Sequence, residues 1–302
     1  MNENKWGDNM NNKFCKGSEW RKWDLHVHTP ASVLNNQFGN DWDLYVKKLF
    51  NSAITNNVHV IGITDYFSIE GYKKIVTEYI NNDKKLLKLF SEEISADKNY
   101  INKIKSIRLL PNIEFRFDKI VASKKDGKKP RKLNYHIIFS DDLDITEIEE
   151  NFLEDIEFSY QANPKLGFEN RKLKKHNLEA LGKKLCSEHE AFKGKSDYYI
   201  GCMNAAVSPE NICNILFKER PHLFKNKFVL VLAEECFDLI SWDSQDHQTK
   251  KNILSVSNMI FSSNDKTRQW ALSPEFAEEF GGNKPCIWGS DAHSFEELFN
   301  PS

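Results

Sequence analysis

WDLHVHTPAS, residues 23–32, decides how the rest of the chain is read. Trp23, Leu25 and Val27 alternate with Asp24, His26 and His28, the two-residue period of a strand, so the polar face carries two imidazoles side by side. A His-x-His pair at a strand end aims both rings at one point without backbone strain, which suits a metal chelate. The same pair held by nearby carboxylates would serve packing alone. The last apolar run tips the balance: CIWGSDAH, residues 286–293, again places two such side chains, Asp291 and His293, two residues apart, with Gly289 permitting a close approach. Two pairs of this kind at opposite ends of one chain are hard to explain by packing.

Between them, short apolar runs ending in polar residues alternate with helical patterns. The candidate strands are Trp23–His28, Val60–Asp65, Arg108–Phe115, Leu133–Ser140, Tyr198–Val207, Phe228–Ala233, Met259–Ser263 and Cys286–Asp291. Helices are expected over Asp41–Thr55 and over Tyr72–Ile80, where Tyr72, Ile75, Val76 and Tyr79 recur at three- and four-residue spacing, and over Gln248–Ser257. This β/α rhythm favours an α/β barrel, with 81–106 and 145–196 as helical insertions and residues 1–22 as a polar tail. Asp-Gly then Lys-Lys-Pro within Ser123–Lys132 marks a turn joining a hairpin-like pair. Asp65 ends the second run, Glu114 comes near the end of the third, and His136 lies inside the fourth. All but His136 then fall at C-terminal strand ends, the face where barrel enzymes assemble their sites. Several imidazoles and carboxylates gathered there would suit Zn, Mn or Fe and would be costly to bury without metal.

Composition narrows the classes. The 302 residues are 40% hydrophobic and 28% charged, with a formal charge of −2 and mean hydropathy −0.60. No run approaches the roughly 18 apolar residues of a membrane helix, and no apolar leader opens the chain, so a cytoplasmic protein without membrane contact is expected. Near-neutral charge rules out a general nucleic-acid adhesive, and the basic set of 35 Lys to 7 Arg disfavours dense base reading. Six dispersed cysteines, with no C-x-x-C, suggest neither a zinc ribbon nor a disulfide scaffold.

WDLHVHTPAS, VIGITDYF, the glutamate of NIEFRF, NYHIIF and GSDAH follow in order the motifs of the PHP (polymerase and histidinol phosphatase) domain, which the chain resembles from Trp23 to His293. LGKKL, YYIGCMNAAVSPENI, WDSQDH, MIFSSNDKTRQWAL and KPCIWGSDAHSFEELF resemble more narrowly the PHP module that precedes an AAA/ABC-type ATPase in TrlF-like proteins. The resemblance implies a distorted (β/α)7 TIM-like barrel with two or three divalent ions, hydrolysing phosphate esters. It places His26, His28, Glu114, His136, Asp291 and His293 on ligand positions, with Glu114 bridging and Asp65 as a further candidate. Of these, His26, His28, Glu114 and Asp291 would carry catalysis. Val33 and Tyr66 stand where the family has Asp and His, and Cys202 or Asn204 where it commonly supplies another His.

The activity expected with metal bound is in-line attack on phosphorus by a metal-activated hydroxide, on a phosphate-ester substrate such as a nucleotide, DNA or RNA. Arg268, Lys266 and Lys251 are candidates to neutralise the phosphate, although a solvated surface role suits them better. Asp246 and His247 could face substrate or open a helix, and His59, His176, His189 and His222 read as structural or exposed. The alternative function is a partly degenerate, non-catalytic PHP module serving an associated ATPase. The chain stops nine residues after His293, where a barrel would place its closing helix, so it reads as an excised domain or a truncated reading frame; the resemblance implies a full-length protein that continues into that ATPase, and no Walker motif occurs within these residues.

Overall fold

The structure, a computed structural model, describes residues 20–121, 131–160, 169–233 and 247–300. Its centre is a curled seven-stranded sheet. In chain order the strands are β1 (Lys22–His28), β2 (Val58–Tyr66), β3 (Arg108–Val121), β4 (Arg131–Phe139), β5 (Glu157–Tyr160), β6 (Glu169–Lys172), β7 (Phe228–Ala233), β8 (Met259–Phe261) and β9 (Cys286–Ile287). The large sheet runs β1-β2-β3-β4-β7-β8-β9, and β5 and β6 form a separate hairpin. The edge strands β1 and β9 are not laddered together. Instead Val27 bridges Ala292, with His28 N donating to Ala292 O at 3.0 Å, so the sheet is a partial barrel.

The local causes are legible. In β2, VHVIGITDY, every residue but His59 is buried, the near-continuous pattern of a strand covered on both faces. The helix Trp42–Thr55 starts where the Asp41 side chain accepts from Leu44 N. It buries Tyr45, Val46, Leu49, Phe50 and Ala53 on one stripe. Tyr45 then donates its hydroxyl to His28 O at 2.7 Å, which ties that helix to the strand carrying the histidines.

Strands β3 and β4 pair antiparallel, in keeping with the hairpin-like pair expected around their connecting turn. Other expectations need correction. Strands β4 and β7 also pair antiparallel, so the sheet is not the parallel array that repeated β/α units would give. Both strands expected around the Lys-rich turn are present; the turn itself lies largely outside the described residues. Tyr198–Val207 is not a strand: Asp197–Asn204 is a helix, capped by Ser196 accepting from Tyr199 N, and Val207 alone bridges to Phe117 and Phe158. A short apolar run is ambiguous between the two states, and here a tertiary contact decides. A Cβ on Gly201 would lie 1.9 Å from Leu178 O, and one on Gly182 would lie 1.7 Å from Asp197 O, so this helix and Lys175–Glu188 meet backbone to backbone. Finally, 145–196 is only partly helical, because it contains the β5–β6 hairpin, and the last sheet strand spans only Cys286–Ile287. The segment 81–106 is helical as expected, as Asp83–Leu89, Ser91–Ala96 and Tyr100–Lys105. Among the described residues, no helix is long and apolar enough to cross a membrane.

Candidate metal centre

β1 delivers His26 and His28 to the inside of the curl. Their Nε2 atoms lie 3.0 Å apart. Parallel to β1 comes β2, then β3, whose Glu114 stands 3.4 Å (Oε2) from His26 Nε2 and 3.2 Å from His28 Nε2. The segment after β9 adds Asp291, its Oδ1 at 3.0 Å from His26 Nε2 and 3.3 Å from His28 Nε2. One ligand atom from each of these four residues falls within 4.8 Å of all the others. His26, His28 and Glu114 are buried, whereas the Asp291 side chain is 56% exposed and forms the open side of the group.

The approach of Asp291 depends on its backbone. Asp291 sits in the left-handed region at φ 50°, uncommon for a residue with a Cβ. Two contacts hold it there: Ser290 N donates to Asp24 Oδ1 at 3.0 Å, and His293 Nδ1 meets Asp291 O at 2.7 Å. Just before it, a Cβ on Gly289 would lie 2.6 Å from His26 Cβ, so only glycine lets this segment pass so close to β1.

The other sequence-predicted residues lie around this quartet. His136 packs its ring on His26 at 4.3 Å between centroids, its Nδ1 is 3.3 Å from Asn112 Oδ1, and its buried Nε2 has no hydrogen-bond partner. His293 stacks on His28 at 4.0 Å, and its Nε2 meets the Tyr66 hydroxyl at 3.3 Å. Tyr66, where the PHP resemblance implies a histidine, thus faces His293 instead of extending the quartet. Asp65 stands one layer back: its carboxylate accepts from Thr29 Oγ1 (2.7 Å), Ser32 Oγ (3.1 Å) and Gly71 N (2.7 Å). Ser32 Oγ in turn lies 2.7 Å from His28 Nδ1. With Ser32 donating to Asp65, its oxygen accepts the His28 Nδ1 proton, which leaves Nε2 as the ring atom facing Glu114 and Asp291. Sequence reasoning missed Ser32, Thr29 and Asn112. Buried hydroxyl and amide side chains carry no periodic signal, so only the folded contacts reveal them.

Electrostatics sharpen the picture. Burial disfavours a charged His28, but the Asp291 and Glu114 carboxylates outweigh it and raise the imidazole to about 9. Burial likewise opposes a charged Glu114, yet contact with His26 and His28 holds it well below the usual carboxylate range. His136, pushed down by burial and then by the neighbouring His26, falls to about 3, and His293, lowered by burial and by His28, falls to about 4. Both are neutral imidazoles at neutral pH. Burial raises Asp65 to about 6, against the hydrogen bonds it accepts.

Of the cluster, His26, Glu114, His136 and Asp291 line a pocket of about 230 Å³, completed by Tyr66, Asn134, Phe261 and Trp288 among others. Several earlier candidates lie elsewhere. Lys251 and His247 pair with Glu279 at 2.8 and 3.1 Å, and Arg268 pairs with Asp265 at 2.7 Å. Lys266 opens the helix Asp265–Ala271, its N–H capped by Asn264. Cys202 is buried in its helix, the Asn204 amide donates to Ile200 O at 2.8 Å, and Val33 packs on the core. Asp246 lies outside the described residues.

No protein-family model and no curated protein matches the chain. Among solved structures, it is similar to a proposed metal-dependent phosphoesterase from Bifidobacterium adolescentis, with 15% identity and a TM-score of 0.41, over 90% of this chain and 88% of that one. It is also similar to an amidohydrolase from Chromobacterium violaceum with bound sulfate and no metal, with 11% identity and a TM-score of 0.38, over the same shares of the two chains. At this level of overlap, neither likeness fixes an activity for this chain.

Proposed function

We propose that this chain is a metal-dependent hydrolase of the PHP type acting on phosphate esters, with nucleic acid or a nucleotide as the substrate class. The observation that carries the reading is the convergence of His26, His28, Glu114 and Asp291 on one point. The donor set fits a divalent cation. Two imidazole Nε2 atoms 3.0 Å apart need a shared proton or a shared cation, and buried Glu114 Oε2 accepts no hydrogen bond although both rings are within 3.4 Å. His136 Nε2, also buried and unpartnered, stands ready for a second ion.

A cation held there would supply Lewis acidity toward a phosphoryl oxygen and activate water at neutral pH. The chain's own part is orientation. Ser32 and Asp65 keep the His28 Nδ1 proton in place, and Asn112 holds the ring of His136. Asp24 accepts from both His26 N (3.2 Å) and Ser290 N (3.0 Å), which sets Asp291 against β1. Exposed Asp291 marks the side from which substrate enters.

Metal content by mass spectrometry tests this, with a phosphodiester assay on the same samples of wild type and the His26→Ala/Asp291→Ala double variant. The expected result is metal and hydrolysis in the wild type and neither in a folded variant. A folded wild type that stays metal-free and inert after Mn or Zn is supplied overturns the reading; metal without turnover favours the non-catalytic module.

A further inference from the structure

We propose that Arg116 is a substrate-positioning residue that binds a phosphoryl oxyanion directly above the carboxylate and imidazole cluster. The inference deepens the phosphoester reading and rests on it. By the two-residue strand period, Asn112, Glu114 and Arg116 share one face of β3. Across the ladder they oppose Ile138, His136 and Asn134. Asn112 and Glu114 turn that face toward the histidines, so the Arg116–Asn134 pair is the next layer along the same inner face.

Three observations place this layer at the substrate. Asn134 lines the pocket together with His26, Glu114 and Asp291. The Arg116 guanidinium carbon lies 5.7 Å from the ring centroid of Tyr66, another wall of that pocket. And Arg116 is half-buried with no ion pair among the described residues, whereas Arg108, Arg220 and Arg268 are matched to Asp141, Asp155 and Asp265. A guanidinium presents a planar fork that suits two phosphoryl oxygens at once. At this position it would orient the non-bridging oxygens while the ester bond lies over the quartet. Lys251, Lys266 and Arg268 are not among the residues that line the pocket, and Arg116 stands just outside that lining, beside Tyr66 and opposite Asn134, which belong to it.

The test is calorimetric titration of inorganic phosphate into the metal-loaded wild type, R116A, R116Q and R116K, beside KM and kcat on p-nitrophenyl phosphate. For R116A and R116Q, we expect phosphate binding about 10- to 100-fold weaker and KM raised to match, with metal content and circular dichroism unchanged and R116K recovering part of the loss. Equal phosphate affinity in wild type and folded R116Q overturns the inference and leaves the hydrolase reading intact if turnover persists. Phosphate binding that depends on Arg116 without any turnover supports oxyanion binding by Arg116, while the hydrolase reading falls and with it the positioning role that rests on it. No phosphate binding by metal-loaded wild type overturns the inference whatever the turnover.

Discussion

Glu114 and His136 are register partners across the antiparallel β3–β4 ladder, so a residue in the middle of one strand stands level with a residue well inside the other. This is how His136, which is not at a C-terminal strand end, reaches the cluster: β4 runs opposite to β3 and carries the imidazole to Glu114. Glu114→Gln keeps the shape and removes the charge. We expect metal affinity to fall by more than about 100-fold, beyond the loss typical of outer positioning groups. His136→Ala should lower metal content from about two ions per chain to about one. Elemental mass spectrometry after dialysis reads both, and unchanged content in either variant would remove that residue from the centre.

Metal binding should be proton-coupled. His28 is raised to about 9 from an ordinary value of 6.5, so in the metal-free protein it contributes stability that is complete below about pH 6.5 and lost as pH rises through 9. A cation needs the deprotonated ring. The increase in Tm on adding Mn should therefore grow between pH 6 and pH 9, and a thermal melt with and without Mn across that range checks it. A flat increment would mean that the His28 proton is not displaced.

Ser32 touches no proposed substrate position, yet it joins His28 Nδ1 to Asp65. Ser32→Ala should cost about 10- to 100-fold in metal affinity by freeing the ring. Removing one of three donors to a buried carboxylate should also cost about 1–3 kcal/mol of stability. Calorimetric metal titration beside urea unfolding separates the two effects; a variant with wild-type affinity would show that the ring is held by packing alone.

Two glycines make opposite predictions. Gly289→Ala would bring a Cβ to 2.6 Å from His26 Cβ, so the folded protein should lose metal affinity. Gly201→Ala would collide with Leu178 O, between two helices remote in sequence from the cluster, so Tm should fall while the folded fraction keeps its metal. Comparing Tm with metal content in both variants is decisive: a Gly289→Ala protein with normal metal content would show that the last segment can shift away from β1.

By itself the sequence determined the α/β class, the candidate strands of the large sheet apart from the misread Tyr198–Val207 run, and the coming together of His26, His28, Glu114 and Asp291. Strand alternation makes side-chain direction a local property, and a polar pair at the end of an apolar run is visible without any fold. Tertiary structure decided what local pattern cannot encode. The turn before β4 already pointed to an antiparallel partner, but the register of β4 on β3, which sets the height of His136, is fixed only by the pairing. The helix Asp197–Asn204 was settled by the glycine contact with its neighbour, because a short apolar run suits either state. Asp65 was drawn to Thr29, Ser32 and Gly71 because a buried carboxylate takes whatever donors the fold brings to it, and those donors come from two separate parts of the chain.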